Sequence, residues 1–96
     1  MFHRRKRNPR TMALDVAKEI GRRGLPAKVE AVTVMSAAGN VRRCAVVIPG
    51  RGVAVINNDL SIIVVSSNKP LPWNLEFKCE NTEAAAENIL RNLPLP

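Results

Sequence analysis

The sequence predicts one α+β domain, with a helix at each end and an antiparallel meander of four or five β-strands between them. Three observations carry this prediction. Apolar residues recur at helical spacing near both ends of the chain, they alternate with polar residues in the middle, and short turn sequences separate the alternating segments. Short connections make neighbouring strands antiparallel, and the two helices share a core most economically if both pack on one sheet face.

The first helix is predicted to begin at Thr11 and to end near residue 23. Val16 and Ile20 belong to an apolar stripe at helical spacing, and the Thr11 hydroxyl can accept a hydrogen bond from the exposed amides of the first turn. Gly24 can adopt the left-handed conformation that commonly ends a helix.

Four strands are predicted in the middle of the chain. Turn sequences rich in Gly, Pro and Asn occur at residues 38–40, 49–52 and 57–59, and the asparagines of the last turn can take positive φ with little strain. The strands are therefore expected at residues 28–36, 42–48, 53–56 and 60–66.

The carboxy-terminal part is predicted to form a fifth strand and the second helix. A proline-containing loop at residues 67–72 precedes residues 75–79, which alternate between apolar and polar side chains. The helix is expected to begin at Asn81 or Thr82, and Glu87 can pair with Arg91 one turn later. Its buried stripe is expected to contain Ala86, Ile89, Leu90 and Leu93.

The formal net charge of +7 is concentrated in the first half of the chain. Residues 1–51 contain 12 Lys or Arg and three acidic residues, whereas residues 52–96 contain three and five. Residues 1–10 lack apolar periodicity and their like charges repel, so they are predicted to be a disordered basic tail before a single domain at residues 11–96.

This charge favours a non-enzymatic binding protein that engages nucleic acid, or another polyanionic surface, nonspecifically through its basic amino-terminal region. Lys and Arg neutralise phosphates and release counterions, so such binding weakens as salt rises. Neighbouring strand residues point to opposite faces, so Arg42 and Arg43 cannot both join a patch on one sheet face. The candidate nucleic-acid-binding residues are Arg4, Arg5, Lys6, Arg7, Arg10, Arg22, Arg23, Arg42 and Arg51.

Two other functions are compatible with the sequence. The first is a protein-interaction or inhibitor module that docks through its sheet and uses its charge for solubility. The second is a Mg²⁺-dependent nuclease using Asp59, Glu76 and Lys78, since such residues on neighbouring strands can hold a metal and orient water. A loop at residues 67–73 would place Glu76 opposite residue 64 and roughly 17 Å from Asp59, which is too far to share a metal.

Partners and compartment are also predicted. Valine- and isoleucine-rich strands have more apolar surface than two short helices readily cover, which favours a homodimer through an exposed sheet face or edge. Cys44 and Cys79 lack zinc-binding spacing and are expected to be buried, reduced thiols. We expect no cofactor or metal, no membrane span and a cytoplasmic location, because neither a long apolar run nor a secretory signal is present.

The order of helix, strands and helix resembles the double-stranded-RNA-binding fold. Residues 82–87 are similar to the start of the second helix in that family. The family places lysines there to contact phosphates, whereas this chain has Glu83 and Glu87. The resemblance therefore concerns topology and does not extend to the RNA-binding residues.

Overall fold

The computed structural model describes residues 8–69 and 74–93. Five strands form one sheet in the order β1-β2-β3-β4-β5, and every neighbouring pair is antiparallel. The predicted fold is thus confirmed, with five strands in the meander. The elements are α1 (Pro9–Arg22), β1 (Lys28–Ser36), β2 (Gly39–Ile48), β3 (Gly52–Ile56), β4 (Ile62–Ser66), β5 (Leu75–Phe77) and α2 (Thr82–Asn92).

Helix α1 begins earlier than predicted. Asn8 is the residue that caps it, and its side-chain oxygen accepts from the Thr11 amide at 2.8 Å. Asparagine caps helices at least as well as threonine, and Pro9 suits the first helical position because its φ is preset and it has no N–H to satisfy. The prediction that Thr11 caps the helix is therefore wrong, and Arg10, which was assigned to the tail, is helical.

Several strand boundaries also differ from the prediction. Strand β2 begins at Gly39 and not at residue 42, and β3 begins at Gly52 and not at residue 53. In the β3–β4 turn, Leu60 takes the positive φ of 68° that was expected of the asparagines, and β4 starts only at Ile62. The amide of Asn57 donates to the carbonyl of Ser61 at 2.9 Å and closes this turn. Strand β5 ends at Phe77, before the end predicted from the alternation alone.

Both helices pack on one face of the sheet, which we call the covered face. Helix α1 contacts β1, β2 and β3, and α2 contacts β4 and α1. No helix in residues 8–69 or 74–93 has both the length and the apolar character needed to cross a bilayer. The largest fully buried side chains between the helices and the sheet are Met12, Val16, Ile20, Val46, Ile48, Ile56, Ile62, Val64, Ile89 and Leu93.

Strands β1 and β2 are longer than the rest and extend past the edge of β3. Strand β2 pairs with β3 only over Cys44 to Ile48, whereas it pairs with β1 from Gly39 to Val47. Residues 32–43 therefore form a two-stranded projection, the hairpin arm. On the helix side of this arm Met35 is 87% exposed. The arm forms one wall of the pocket described next.

Candidate functional site

A pocket of about 470 Å³ lies where the first turn of α1 meets the base of the hairpin arm and the β3–β4 turn. It contains three arginines and no acidic residue among its lining residues. A depression with several cationic groups and no carboxylate has a positive potential and favours an anion. The lining residues are Asn8, Pro9, Arg10, Thr11, Leu14, Ala31, Arg42, Arg43, Cys44 and Asn58.

The first turn of α1 contributes both a side chain and the helix dipole. The amide of Thr11 is bonded to the Asn8 side chain and that of Met12 to the Asn8 carbonyl, so these donors are already used. Arg10 is exposed, and the first turn of α1 contains no acidic residue. The positive end of the helix therefore adds to the charge of Arg10.

Arg42 reaches the same pocket from the hairpin arm. It pairs with Thr33 and points to the same side of β2 as Cys44, which is the helix side. The side chain of Arg43 leaves β2 on the opposite face of the sheet. Its Nη1 donates to the Arg42 carbonyl oxygen at 3.0 Å, and Arg43 also lines the pocket. Within the described ranges, no ion pair joins Arg10, Arg42 or Arg43 to a carboxylate.

The other candidate arginines lie elsewhere. Arg22 and Arg23 pair with Glu19 at 3.7 and 3.2 Å near the end of α1, about 18 Å along the helix from Arg10. Arg51 follows the far end of β2, and its Nη1 donates to the carbonyl of Leu93 at 3.4 Å, at the end of α2. Residues 4–7, which are Arg4, Arg5, Lys6 and Arg7, lie outside the described residues.

The three residues considered for a nuclease site are arranged differently from a shared metal site. Glu76 lies opposite Ile63, one residue from the expected position. Asp59 Oδ1 accepts from the Ser61 hydroxyl at 2.6 Å and from the Ser61 amide at 3.0 Å. These bonds lower the pKa of Asp59, and the charge of Lys78 lowers it further. In the part of the chain that is described, no three His, Cys, Asp or Glu side chains group as metal ligands do.

Both cysteines are free thiols, and both are half-buried, whereas the sequence predicted buried ones. Each packs against the edge of the hydrophobic core. Cys79 lies beyond the end of β5, where its Sγ accepts from Nδ2 of Asn88 at 3.2 Å. Cys44 lines the pocket, because β2 passes beneath the start of α1 at this point.

Of the residues that line the pocket, the sequence identified only Arg10 and Arg42 as binding candidates. Arg43 was left out because neighbouring strand residues point to opposite faces, yet it lines the pocket together with Arg42, and Asn8, Leu14 and Asn58 were also missed. The dipeptide Asn8-Pro9 could have identified the true start of α1, since Asn at the cap followed by Pro is a typical helix start. No local signal indicates that Leu14 and Asn58 lie together.

Comparisons of this chain with protein-family models, with curated proteins and with solved structures gave no match.

Proposed function

We propose that this chain is a non-enzymatic protein that binds nucleic acid nonspecifically through phosphate contacts, with the pocket between α1 and the hairpin arm as the anchor. The observation that carries the proposal is the meeting of Arg10 and Arg42, which are distant in sequence, at a pocket lined by no acidic residue. Arginine binds phosphate oxygens through two parallel N–H donors, and a partly enclosed site strengthens that interaction.

The basic tail supports the same proposal through chain connectivity. Arg7 directly precedes Asn8 in the chain, and Asn8 lines the pocket. Arg4 is four residues from Asn8, so its backbone is within about 14 Å of the pocket in any conformation. The four cationic residues at positions 4–7 can therefore contact phosphates next to one that is held in the pocket. Such contacts give affinity without base recognition.

Titration of the full chain with fluorescein-labelled single- and double-stranded DNA and RNA, at 50 and 200 mM salt, tests this proposal. Replacing both pocket arginines, in Arg10→Ala/Arg42→Ala, should weaken binding at least tenfold at 50 mM salt. The slope of log affinity against log salt should become shallower by about two, because two phosphate contacts are lost. Fluorescence anisotropy gives both quantities.

The matched control is Arg22→Ala/Arg91→Ala, which removes the same charge from sites whose arginines pair with Glu19 and Glu87. This control should bind within about twofold of the unmodified chain, apart from the small effect of net charge. Equal losses in the two double variants would mean that only total charge matters and would contradict a pocket. Absence of binding at 50 mM salt would contradict nucleic acid as the ligand. A chain lacking residues 1–7 should also bind more weakly and show a shallower salt slope than the unmodified chain, because up to four phosphate contacts are lost.

A second candidate function is docking onto a protein through the sheet, and one observation favours it. The side of the sheet that faces away from both helices carries half-buried Val53, Val55 and Ile63 side chains. A partner that docks there would be retained after nuclease treatment, whereas one held through nucleic acid would be lost. Self-association as a homodimer is one form of this docking.

A reducing, cytoplasmic compartment belongs to the same proposal. It is supported by the two free, half-buried thiols of Cys44 and Cys79, since unpaired cysteines are typical of such compartments. Alkylation of native material followed by mass spectrometry should find both thiols reduced. A bridge between them would contradict this part of the proposal.

A further inference from the structure

The face of the sheet opposite the helices, which we call the open face, has an apolar centre. Side chains that are directly opposite in antiparallel pairs point to the same face, so the strand register defines rows across the sheet. The first row runs across β1 to β4 and the second across β1 to β5. The first row is Lys28, Val47, Val53 and Val65. The second row is Glu30, Ala45, Val55, Ile63 and Glu76.

The open face has the size of a modest protein interface. Strands β1 to β4, at about 4.8 Å spacing and with about five residues along each strand, span roughly 19 by 17 Å, or about 330 Å² of flat area. This is at the level of the largest apolar patches on monomeric proteins, about 300–600 Å², which often mark interaction sites. With the longer β1 and β2 included, the face approaches the roughly 600 Å² per partner that weak specific complexes bury.

We propose that the open face packs against the open face of a second copy of this chain. The two-fold axis lies in the plane of the interface, runs perpendicular to the strands and passes between the two rows. This axis places the first row of one copy over the second row of the other. Val53 then stacks on Val55 of the partner subunit, and Val65 on Ile63 of the partner subunit. Two such sheets pack about 10 Å apart, with strands within about 30° of each other.

The charges at the edge of the open face favour this axis. It places Lys28 opposite Glu30 of the partner subunit, and it does so twice in each dimer. An axis parallel to the strands would instead place Glu30 against Glu76 of the partner subunit, because both glutamates belong to the second row. Like charges that face each other across an interface are unfavourable.

A second copy suits these charges better than an unrelated partner does. No ion pair within the described residues involves Lys28, Glu30 or Glu76. Adjacent charges of opposite sign at one edge become two complementary pairs when a two-fold axis passes between them, which is the self-complementarity that a symmetric interface requires. The arrangement does not depend on nucleic-acid binding. The pocket is lined mainly by residues on the helix side of the sheet, so it stays accessible in the dimer.

Sedimentation velocity of the nuclease-treated full chain between 1 and 200 μM tests the proposal. A dimer is expected at both 0.15 and 1 M NaCl, because an apolar interface is not weakened by screening. Val55→Lys places a charge at the centre of the open face and should raise the dimer dissociation constant at least tenfold. Met35→Lys is the matched control. Met35 lies on the same sheet but on the other face, and it is 87% exposed. The Met35→Lys variant should therefore dimerise like the unmodified chain.

Three results would overturn the proposal. The first is an unmodified chain that stays monomeric at 200 μM. The second is a dimer that dissociates in 1 M NaCl, which would indicate electrostatic association. The third is a folded Val55→Lys variant that still dimerises, which would indicate pairing through a sheet edge.

A charge exchange tests the two-fold axis separately and keeps the proposal testable if Val55→Lys does not fold. Lys28→Glu and Glu30→Lys each create two like-charge contacts in the dimer and should each weaken it about fivefold. The double variant Lys28→Glu/Glu30→Lys restores opposite charges and should dimerise like the unmodified chain. Both positions are exposed, so folding should be preserved. If the single variants dimerise as well as the double variant, the proposed axis is wrong.

Discussion

The central strands of the sheet have apolar side chains on both faces, but the two faces have very different environments. On β3, Ala54 and Ile56 point to the covered face and are 0% exposed, whereas Val53 and Val55 point to the open face and are half-buried. The difference arises from α1 and α2, which pack on one side only. Apolar residues in one strand can therefore serve two purposes. Those under the helices stabilise the fold, whereas on the open face Ala45 is also 0% exposed but Val53 and Val55 keep part of their side chains exposed for association.

Truncation of two neighbouring residues of β3, one on each face, should change the free energy of unfolding by very different amounts. Ile56→Ala should lower the free energy of unfolding by about 4 kcal/mol, because it leaves a cavity under the helices. Val55→Ala should lower it by less than about 1 kcal/mol in dilute protein, because its side chain is only partly removed from water by the monomer. Urea denaturation at low micromolar concentration measures both. Equal effects would contradict the assignment of a covered and an open face.

A glycine of the covered face is packed too closely to accept a side chain. Gly52 has a φ of 153°, and a Cβ there would overlap the carbonyl oxygen of Val65 and lie 2.9 Å from Leu93. Gly52→Ala should therefore lower the free energy of unfolding by about 3 kcal/mol, because β3, β4 and α2 must move apart.

The control for this substitution is Gly21→Ala in α1. No atom lies within 4 Å of the added methyl group, and alanine favours a helix over glycine, so this variant should be stabilised by about 0.5–1 kcal/mol. Thermal denaturation of the two variants should therefore shift in opposite directions. A destabilised Gly21→Ala variant, or a neutral Gly52→Ala variant, would contradict the described packing.

The smallest expected effect concerns Asp59, at the end of the sheet beside Lys78. The pKa of Asp59 is lowered from its usual 3.8, mainly by the hydrogen bond from the Ser61 hydroxyl. Its charged form is therefore favoured in the folded state, and the resulting stability is present above pH 3.8 and lost as pH falls through the lower folded-state value.

Asp59→Ala should be less stable than the unmodified chain at pH 7, and the difference should shrink as the pH falls below 4. Urea midpoints between pH 7 and pH 2.5 measure this dependence. Ser61→Ala should remove much of the same pH dependence, because the hydroxyl of Ser61 is the main cause of the lowered pKa. A difference between Asp59→Ala and the unmodified chain that is constant over this range would contradict the role of the carboxylate.

Elements whose signals are local were predicted well. Helix α2 begins at Thr82, its cap Asn81 accepts from the Ala84 amide at 2.7 Å, and Arg91 pairs with Glu87 at 3.3 Å. All of these contacts lie within four residues, so spacing in the sequence is enough to predict them. The start of α1 was missed although its signal was local, because Asn8 and Pro9 were assigned to the basic tail.

The candidate site was predicted only in part, because its parts come from different elements. The sequence identified Arg10 and Arg42 as basic residues, but grouped them with Arg22, Arg23 and Arg51. The length of α1 separates Arg10 from Arg22, and Arg51 bonds to the end of α2. The grouping depends on the order in which helices and strands pack, and no pattern of spacing contains that information.

The sequence by itself determined the secondary structure, the antiparallel meander and the asymmetry of charge, because these depend on periodicity, short turns and composition. The tertiary structure alone decided which apolar face of the sheet the helices cover, and which arginines meet at the hairpin arm. The physical reason is that burial and electrostatic potential at one position depend on residues far away in the chain. Val55 and Ile56 differ by a single position in β3, and only the position of the helices makes one a core residue and the other a residue of the open face.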